Sequence, residues 1–139
     1  MPKIQQGDIW WYEFTAPDKA RPVLVLTRTA VIHHIERVTI APITTRLRSI
    51  PSEVLLNADD GMDITCAIGL DNIQTVPKAR LRDFVIRLNA ERMREVRTAI
   101  EFAFGFDLLD FADGRHVKTV RLLAQSESEE TKFTVFLKK

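Results

Sequence analysis

The sequence contains few of the residues that build disulfides, metal sites or membrane spans. Cys66 is the single cysteine among 139 residues, so no disulfide can form within the chain, and its apolar setting favours a small buried side chain. The three histidines lack the spacing of a metal site, so neither a metal ion nor another cofactor is expected. No apolar run approaches the ~20 residues that cross a membrane, and the N-terminus has no apolar signal-peptide core. These absences predict a cytoplasmic protein.

Neither sign of charge predominates, because the net charge is only +1. A long basic track that coats nucleic acid is therefore not expected. Residues 1–58 have an excess of two positive charges, whereas residues 59–110 have an excess of three negative charges. A small local positive field of this kind suits a protein that holds a few phosphate groups.

Short β-prone segments separated by turns fill the first two thirds of the chain. In the first of them, alternation sends Trp10 and Tyr12 to one face and Trp11 to the other. The succession of short strands predicts a small, strongly bent sheet of antiparallel strands. The predicted strands cover residues 9–14, 23–27, 38–43, 52–56, part of 64–73, and 83–88.

The period of the apolar residues changes to three and four after Asn89, which predicts a helix of ~15 residues. Asn89 can cap its N-terminus and Gly105 can end it. Its apolar face comprises Met93, Val96, Ile100, Ala103 and Phe104.

Two predicted strands have polar ends that suit a phosphate group. Arg21 and Pro22 precede the apolar run 23–26, and the run 38–43 stops at Thr44 and Thr45. A guanidinium offers a planar fork of donors that fits a phosphate, and threonine hydroxyls can complete the cradle. Because an arginine stays protonated in proteins, it stabilises a charged transition state better than it accepts a proton.

Together with the Gly7–Asp8–Ile9–Trp10–Trp11 segment, these features resemble the MazF/PemK/Kid family of toxin endoribonucleases over roughly residues 7–107. The resemblance implies an SH3-like barrel of the CcdB/PemK type with a C-terminal helix. It also implies metal-independent, sequence-selective cleavage of single-stranded RNA, chiefly mRNA, which would inhibit translation. The implied partners are RNA, a cognate antitoxin and a second copy in a homodimer.

The resemblance assigns catalysis to Arg21 and Thr44, whereas Asp8 is interpreted as a structural hydrogen-bond acceptor. Trp11 lies where it can stack an unpaired base. The residues expected to contact RNA are Trp11, Lys19, Thr45, Arg46, Asn72 and Gln74.

Two departures from the family pattern leave alternatives open. The loop before Arg21 is shorter than is common in relatives, and Asn72 stands where many of them have glutamine. A degenerate member that binds RNA or antitoxin but cuts poorly is one alternative. A gyrase poison of the CcdB type is another, although the Trp-Gly-Ile ending of those proteins is not found here. Catalysis by His33 and His34 is disfavoured, because neighbouring side chains on a strand point in opposite directions.

Residues 108–139 lie beyond the family pattern and are predicted to form an added β-hairpin. The β-prone runs 117–124 and 132–137 flank an acidic segment, and a turn at Asp113–Gly114 precedes them. The hairpin is interpreted as a cover for a sheet edge, with an altered dimer contact or a tail near the RNA as alternatives. The expected domains are therefore residues 1–107 and the extension 108–139.

Overall fold

The computed structural model describes residues 3–15 and 19–108. The chain divides into two units, Met1–Ala103 and Phe104–Lys139, and residues 104–108 are the described part of the second. The hairpin expected within residues 108–139 lies outside the described residues. All candidate site residues belong to the first unit.

Seven strands and two helices account for most of the described residues. The strands are β1 (Asp8–Glu13), β2 (Ala20–Val25), β3 (Arg37–Thr44), β4 (Glu53–Leu56), β5 (Cys66–Gly69), β6 (Gln74–Pro77) and β7 (Leu81–Arg87). The helices are α1 (Thr29–Ile32) and α2 (Ala90–Phe104), and single 3-10 turns lie at Ala58–Asp60, Leu70–Asn72, Lys78–Arg80 and Phe106–Leu108.

β3 is the strand around which the sheet bends. The strand order is β4-β5-β3-β2-β1-β7, and all pairs are antiparallel. One edge of β3 pairs with β2 over residues 40–42, while the other pairs with β6 over residues 37–40 and then with β5 at residues 43–44. Pro42, which has no N–H to donate, lies between the β6 and β5 pairings. The change of partner gives the barrel-like antiparallel fold that the sequence predicted.

Alternating side chains of the strands fill two apolar clusters. Ile9 of β1 belongs to the cluster that also contains Val96 and Ala99 of α2. Trp10 and Tyr12 point the other way and join the second cluster. Both of these aromatic side chains are buried, as the alternation in β1 predicted. The same period holds in β4, where Val54 and Leu56 are buried and Leu55 is exposed.

Helix α2 begins and ends where the capping residues predicted. The Asn89 Oδ1 accepts a hydrogen bond from the Arg92 backbone N–H at 2.8 Å, and Gly105 follows the helix with φ of +73°. Phe104 is the exception on the predicted apolar face, because it is 51% exposed and contacts the ring of Phe106 at 6.2 Å between centroids.

Besides shifts of one or two residues at strand ends, three features differ from the sequence-based prediction. β2 begins at Ala20, so Arg21 lies within the strand rather than before it. Gln74–Pro77 forms a strand because it pairs with β3, although its own residues give a weak signal. Residues 28–36, expected as a plain connection, contain the single turn of α1.

Candidate RNA-cleaving site

An exposed tryptophan of β1 and the candidate arginine of β2 lie at diagonal positions of the two paired strands. Trp11 lies opposite Pro22, and Arg21 lies opposite Tyr12. Trp11 is 41% exposed, in contrast to its buried neighbours on β1. The end of β3 completes a surface depression of about 590 Å³, here called the main depression. Its lining residues are Trp11, Ala20, Arg21, Pro22, Ile43, Thr44, Thr45 and Arg46.

Two arginines of the main depression have no anionic partner. Among the described residues, the guanidinium groups of Arg21 and Arg46 form no ion pair and donate no hydrogen bond. Most other arginines of the first unit are paired, as Arg87 is with Asp8 at 2.6 Å and Arg92 with Asp60 at 2.9 Å. Two unpaired guanidinium groups around one depression have the charge and the donors that suit an anion.

Thr44 is fixed in an orientation that suits donation. It is the last residue of β3, opposite Ala67 of β5, and is half-buried. Its Oγ1 accepts a hydrogen bond from the Arg46 backbone N–H at 3.0 Å. One lone pair of the oxygen is therefore engaged, which leaves the hydroxyl hydrogen free to reach an oxygen in the depression. Thr45 is exposed and lines the same depression.

A second, smaller depression adjoins the first through Arg21. Its volume is about 250 Å³, and it is here called the side depression. Asn72 and Gln74, both exposed, supply amide groups that can donate and accept hydrogen bonds. Its lining residues are Phe14, Arg21, Pro42, Asn72 and Gln74. The structure therefore brings together seven of the eight residues singled out in the sequence.

Lys19 is the candidate that the structure leaves outside. It is exposed, lies just before β2, and lines neither depression. Its φ of +44° is unusual for a residue with a side chain and marks the tight end of the β1–β2 connection. His33 and His34 are exposed at the end of α1 and also lie outside both depressions.

Asp8 has the surroundings of a structural residue. Its side chain is fully buried and accepts hydrogen bonds from the Gln5 N–H at 2.9 Å, Trp10 Nε1 at 3.2 Å and Arg87 Nε at 2.6 Å. Cys66 is buried as well, and burial raises the pKa of its thiol, so it is a poor nucleophile at neutral pH.

Arg48 was not singled out in the sequence, although it follows Arg46 of the main depression by two positions and contacts the residue before Asn72 of the side depression. It donates to Glu53 and Asp71, and the second carboxylate immediately precedes Asn72. The sequence shows a basic loop with arginines at 46 and 48, but it does not show that Arg48 contacts Asp71, 23 residues later.

A comparison with known protein families identifies the family of this chain. The model of the "PemK-like, MazF-like toxin of type II toxin-antitoxin system" matches residues 5–104. The chain belongs to this family. The predicted family is thereby confirmed.

Three relatives show how close the similarity is. "Endoribonuclease MazF3" of Mycobacterium tuberculosis is 41% identical over 90 residues, which are 65% of this chain and 87% of that protein. The structure titled "Mycobacterium tuberculosis toxin MazF-mt6" has a TM-score of 0.66 and 38% identity, and covers 70% of this chain and 96% of its own. An "Endoribonuclease in complex with its cognate antitoxin from Mycobacterial species" has a TM-score of 0.66 and 26% identity, and covers 74% and 96%.

These relatives confirm the prediction of an endoribonuclease toxin of a type II toxin–antitoxin system. Two structural absences apply within residues 3–15 and 19–108. No group of three or more His, Cys, Asp or Glu side chains there could hold a metal ion. No helix of that part is long and apolar enough to cross a membrane.

Proposed function

We propose that the main depression binds and cleaves single-stranded RNA, chiefly mRNA, with selectivity for sequence and without a metal ion. The observation that carries this proposal is the pair of unpaired guanidinium groups, Arg21 and Arg46, around the same depression as the Thr44 hydroxyl. A bound phosphodiester satisfies all three groups at once. Cleavage of mRNA would inhibit translation.

The reaction is an internal transfer of the phosphoryl group. The 2′-oxygen adjacent to the scissile phosphate attacks phosphorus, and the bond from phosphorus to the 5′-oxygen breaks. The 2′-hydroxyl proton passes to a phosphate oxygen or solvent, and the departing 5′-oxygen takes up a proton. The products are a 2′,3′-cyclic phosphate and a free 5′-hydroxyl.

Arg21 and Thr44 supply stabilisation to this reaction rather than a base. The Arg21 guanidinium donates to the non-bridging oxygens, whose negative charge increases in the transition state. The Thr44 hydroxyl donates to one of the same oxygens, because its own acceptor site is engaged by the Arg46 N–H. Arg46 and Thr45 hold a neighbouring part of the backbone.

The remaining candidates hold bases next to the cut. Trp11, with its exposed ring beside Pro22, stacks an unpaired base. Asn72 and Gln74 offer donors and acceptors to a base edge in the side depression. Selectivity for sequence therefore arises on both sides of Arg21.

The relatives also guide the proposed partners. Because a similar endoribonuclease was solved with its cognate antitoxin, we assign this chain a cognate antitoxin as well. We further assign it a homodimer in the cytoplasm, as the family resemblance implies. Residues 1–107 constitute the toxin domain in this proposal, and residues 108–139 are an extension to it.

The test compares two exposed arginines, of which one lines the main depression and the other lies outside it. The wild type, Arg21→Ala and Arg28→Ala are incubated with a long mixed-sequence RNA in EDTA, and the 5′ ends of the products are mapped. Arg28 is exposed and lies outside both depressions, so it is the matched control. We expect discrete cuts with 5′-hydroxyl ends, a loss of at least about 100-fold in Arg21→Ala, and no loss in Arg28→Ala. Full activity of Arg21→Ala, or a requirement for a divalent cation, would contradict the mechanism.

A further inference from the structure

The loop between β3 and β4 is joined to the turn after β5 by the side chain of Arg48. Its Nε donates to Glu53 Oε2 at 2.7 Å, while Nη1 and Nη2 donate to the two Asp71 carboxylate oxygens at 2.9 and 2.8 Å. The Arg48 backbone N–H also donates to Glu53 Oε1 at 3.1 Å. One planar guanidinium therefore holds carboxylates from two segments in a fixed geometry, here called the Arg48 clamp.

Arg48 and Asp71 belong to two segments that line different depressions, and these two segments are here called the walls. Thr45 and Arg46 line the main depression and precede Arg48 in the same loop. Asn72 lines the side depression and directly follows Asp71. Arg21 lines both depressions, so the clamp joins the walls on either side of it.

Backbone pairing holds Thr44 and Gln74 in the sheet, but it does not join the loop 45–51 to the turn at residues 71–73. The β4–β5 ladder ends at the pair of Glu53 and Gly69, and the Leu70 N–H donates to the Ser52 carbonyl at 2.9 Å. Beyond that point, no backbone hydrogen bond in the described part of the chain joins residues 45–51 to residues 71–74. The side-chain clamp takes the place of the ladder there.

We infer that Arg48 is a positioning residue that sets the separation of the two RNA-binding walls, an inference that rests on the proposed function. The clamp places Arg46 and Asn72, and through them the RNA backbone and a base beside the cut. Arg21 and Thr44 are held separately by β2 and β3, so the chemical step depends less on the clamp.

The two halves of the clamp differ in burial: the Glu53 side chain is 1% exposed, so its contact with Arg48 also supports the fold. The side chains of Arg48 and Asp71 are 40% and 32% exposed, and ion pairs between such partly exposed groups contribute little to stability. The Arg48 guanidinium also lowers the pKa of the Asp71 carboxyl, so the pair stays ionised at neutral pH. Asp71→Asn therefore removes the exposed half of the clamp with little effect on folding, whereas Arg48→Lys keeps a positive charge beside the buried Glu53.

The experiment measures kcat, KM and the cut-site preference for the wild type, Arg48→Lys, Asp71→Asn and the double variant. Lysine keeps the charge at position 48 but cannot form the two-pronged contact. Arg97→Lys is the matched control, because Arg97 is 81% exposed on α2 and pairs only loosely with Glu101 at 3.7 Å. A short RNA with the preferred sequence serves for the kinetics, and a mixed-sequence RNA serves for the cut-site preference.

We expect each single variant to raise KM about tenfold, to change kcat less than about threefold, and to weaken the base preference beside the cut. The double variant should be no worse than the more affected single variant, since both changes remove the same contact. Arg97→Lys should match the wild type.

Three outcomes would overturn the inference, and they can be told apart. Unchanged KM and preference in the single variants show that the clamp does not place the walls. A loss of kcat alone, with KM and preference retained, assigns Arg48 to the chemical step or to folding. A wild type that does not cut RNA removes the proposed function itself, and the positioning role with it.

Discussion

The buried carboxylate of Asp8, the first residue of β1, allows a sharp test of whether this residue is structural or catalytic. Replacement by alanine removes the acceptor of the Trp10 indole N–H and of the Gln5 backbone N–H. Trp10 is only 2% exposed, so water cannot replace the lost partner of its indole. An unsatisfied buried donor costs about 1–3 kcal/mol, and the part-buried Gln5 N–H adds a smaller cost.

The expected total for Asp8→Ala is therefore about 2–4 kcal/mol. This is a large part of the 5–15 kcal/mol that is typical of a folded domain. Asp8→Asn should lose less, because one amide oxygen can still accept from both Gln5 and Trp10. In both variants the Arg87 guanidinium loses its ionic partner, but it can turn to solvent because its side chain is 45% exposed.

Urea unfolding followed by tryptophan fluorescence measures the loss directly. One fixed protein concentration is used, because self-association shifts the midpoint. Glu13→Gln is the control on the same strand, where an exposed carboxylate pairs with Arg82, and it should not shift the midpoint measurably. The structural role is refuted if Asp8→Asn unfolds like the wild type but no longer cuts RNA under conditions where it is folded.

Two further predictions concern the site and the attachment of α2. Trp11→Ala should weaken binding of an uncleavable 2′-deoxy RNA analogue by about 1–3 kcal/mol in a fluorescence titration, and equal affinity would show that no base stacks there. Arg92 lowers the pKa of Asp60 below the ordinary 3.8, so this pair stabilises the fold above that pH and its effect fades as the pH falls through the lowered value. Asp60→Asn should therefore be less stable than the wild type at pH 7 but approach it in acid, as followed by thermal unfolding; a constant difference would argue against the linkage.

Local patterns predicted the parts of the fold that depend on local physics. The alternation in β1 separated Trp11 from Trp10 and Tyr12 because a strand has a period of two. Asn89 and Gly105 marked the ends of α2 because caps act on the adjacent turn. Arg21 and Thr44, near the polar ends of β2 and β3, were singled out through the family resemblance rather than through local physics alone.

Features that depend on distant partners were not predicted. β6 is defined by its pairing with β3, and its own four residues give little signal. The Arg48 clamp closes between residues 23 positions apart. The side depression includes Phe14 and Pro42, which look like ordinary strand residues in the sequence. Lys19 was included for its charge, but charge alone does not determine on which side of a turn a residue lies.

The pairing of β1 with β7 has a consequence for the time at which the site forms during synthesis. Trp11 lies on β1, one edge of which pairs with β7, more than 60 residues later in the chain. A growing chain that stops before Leu81 leaves that edge unpaired, although β2 and β3 are already present. Pairings over such long separations form slowly, because chain entropy must be lost before they are made. Most of residues 8–87 therefore leave the ribosome before the strand that carries Trp11 is paired along both edges.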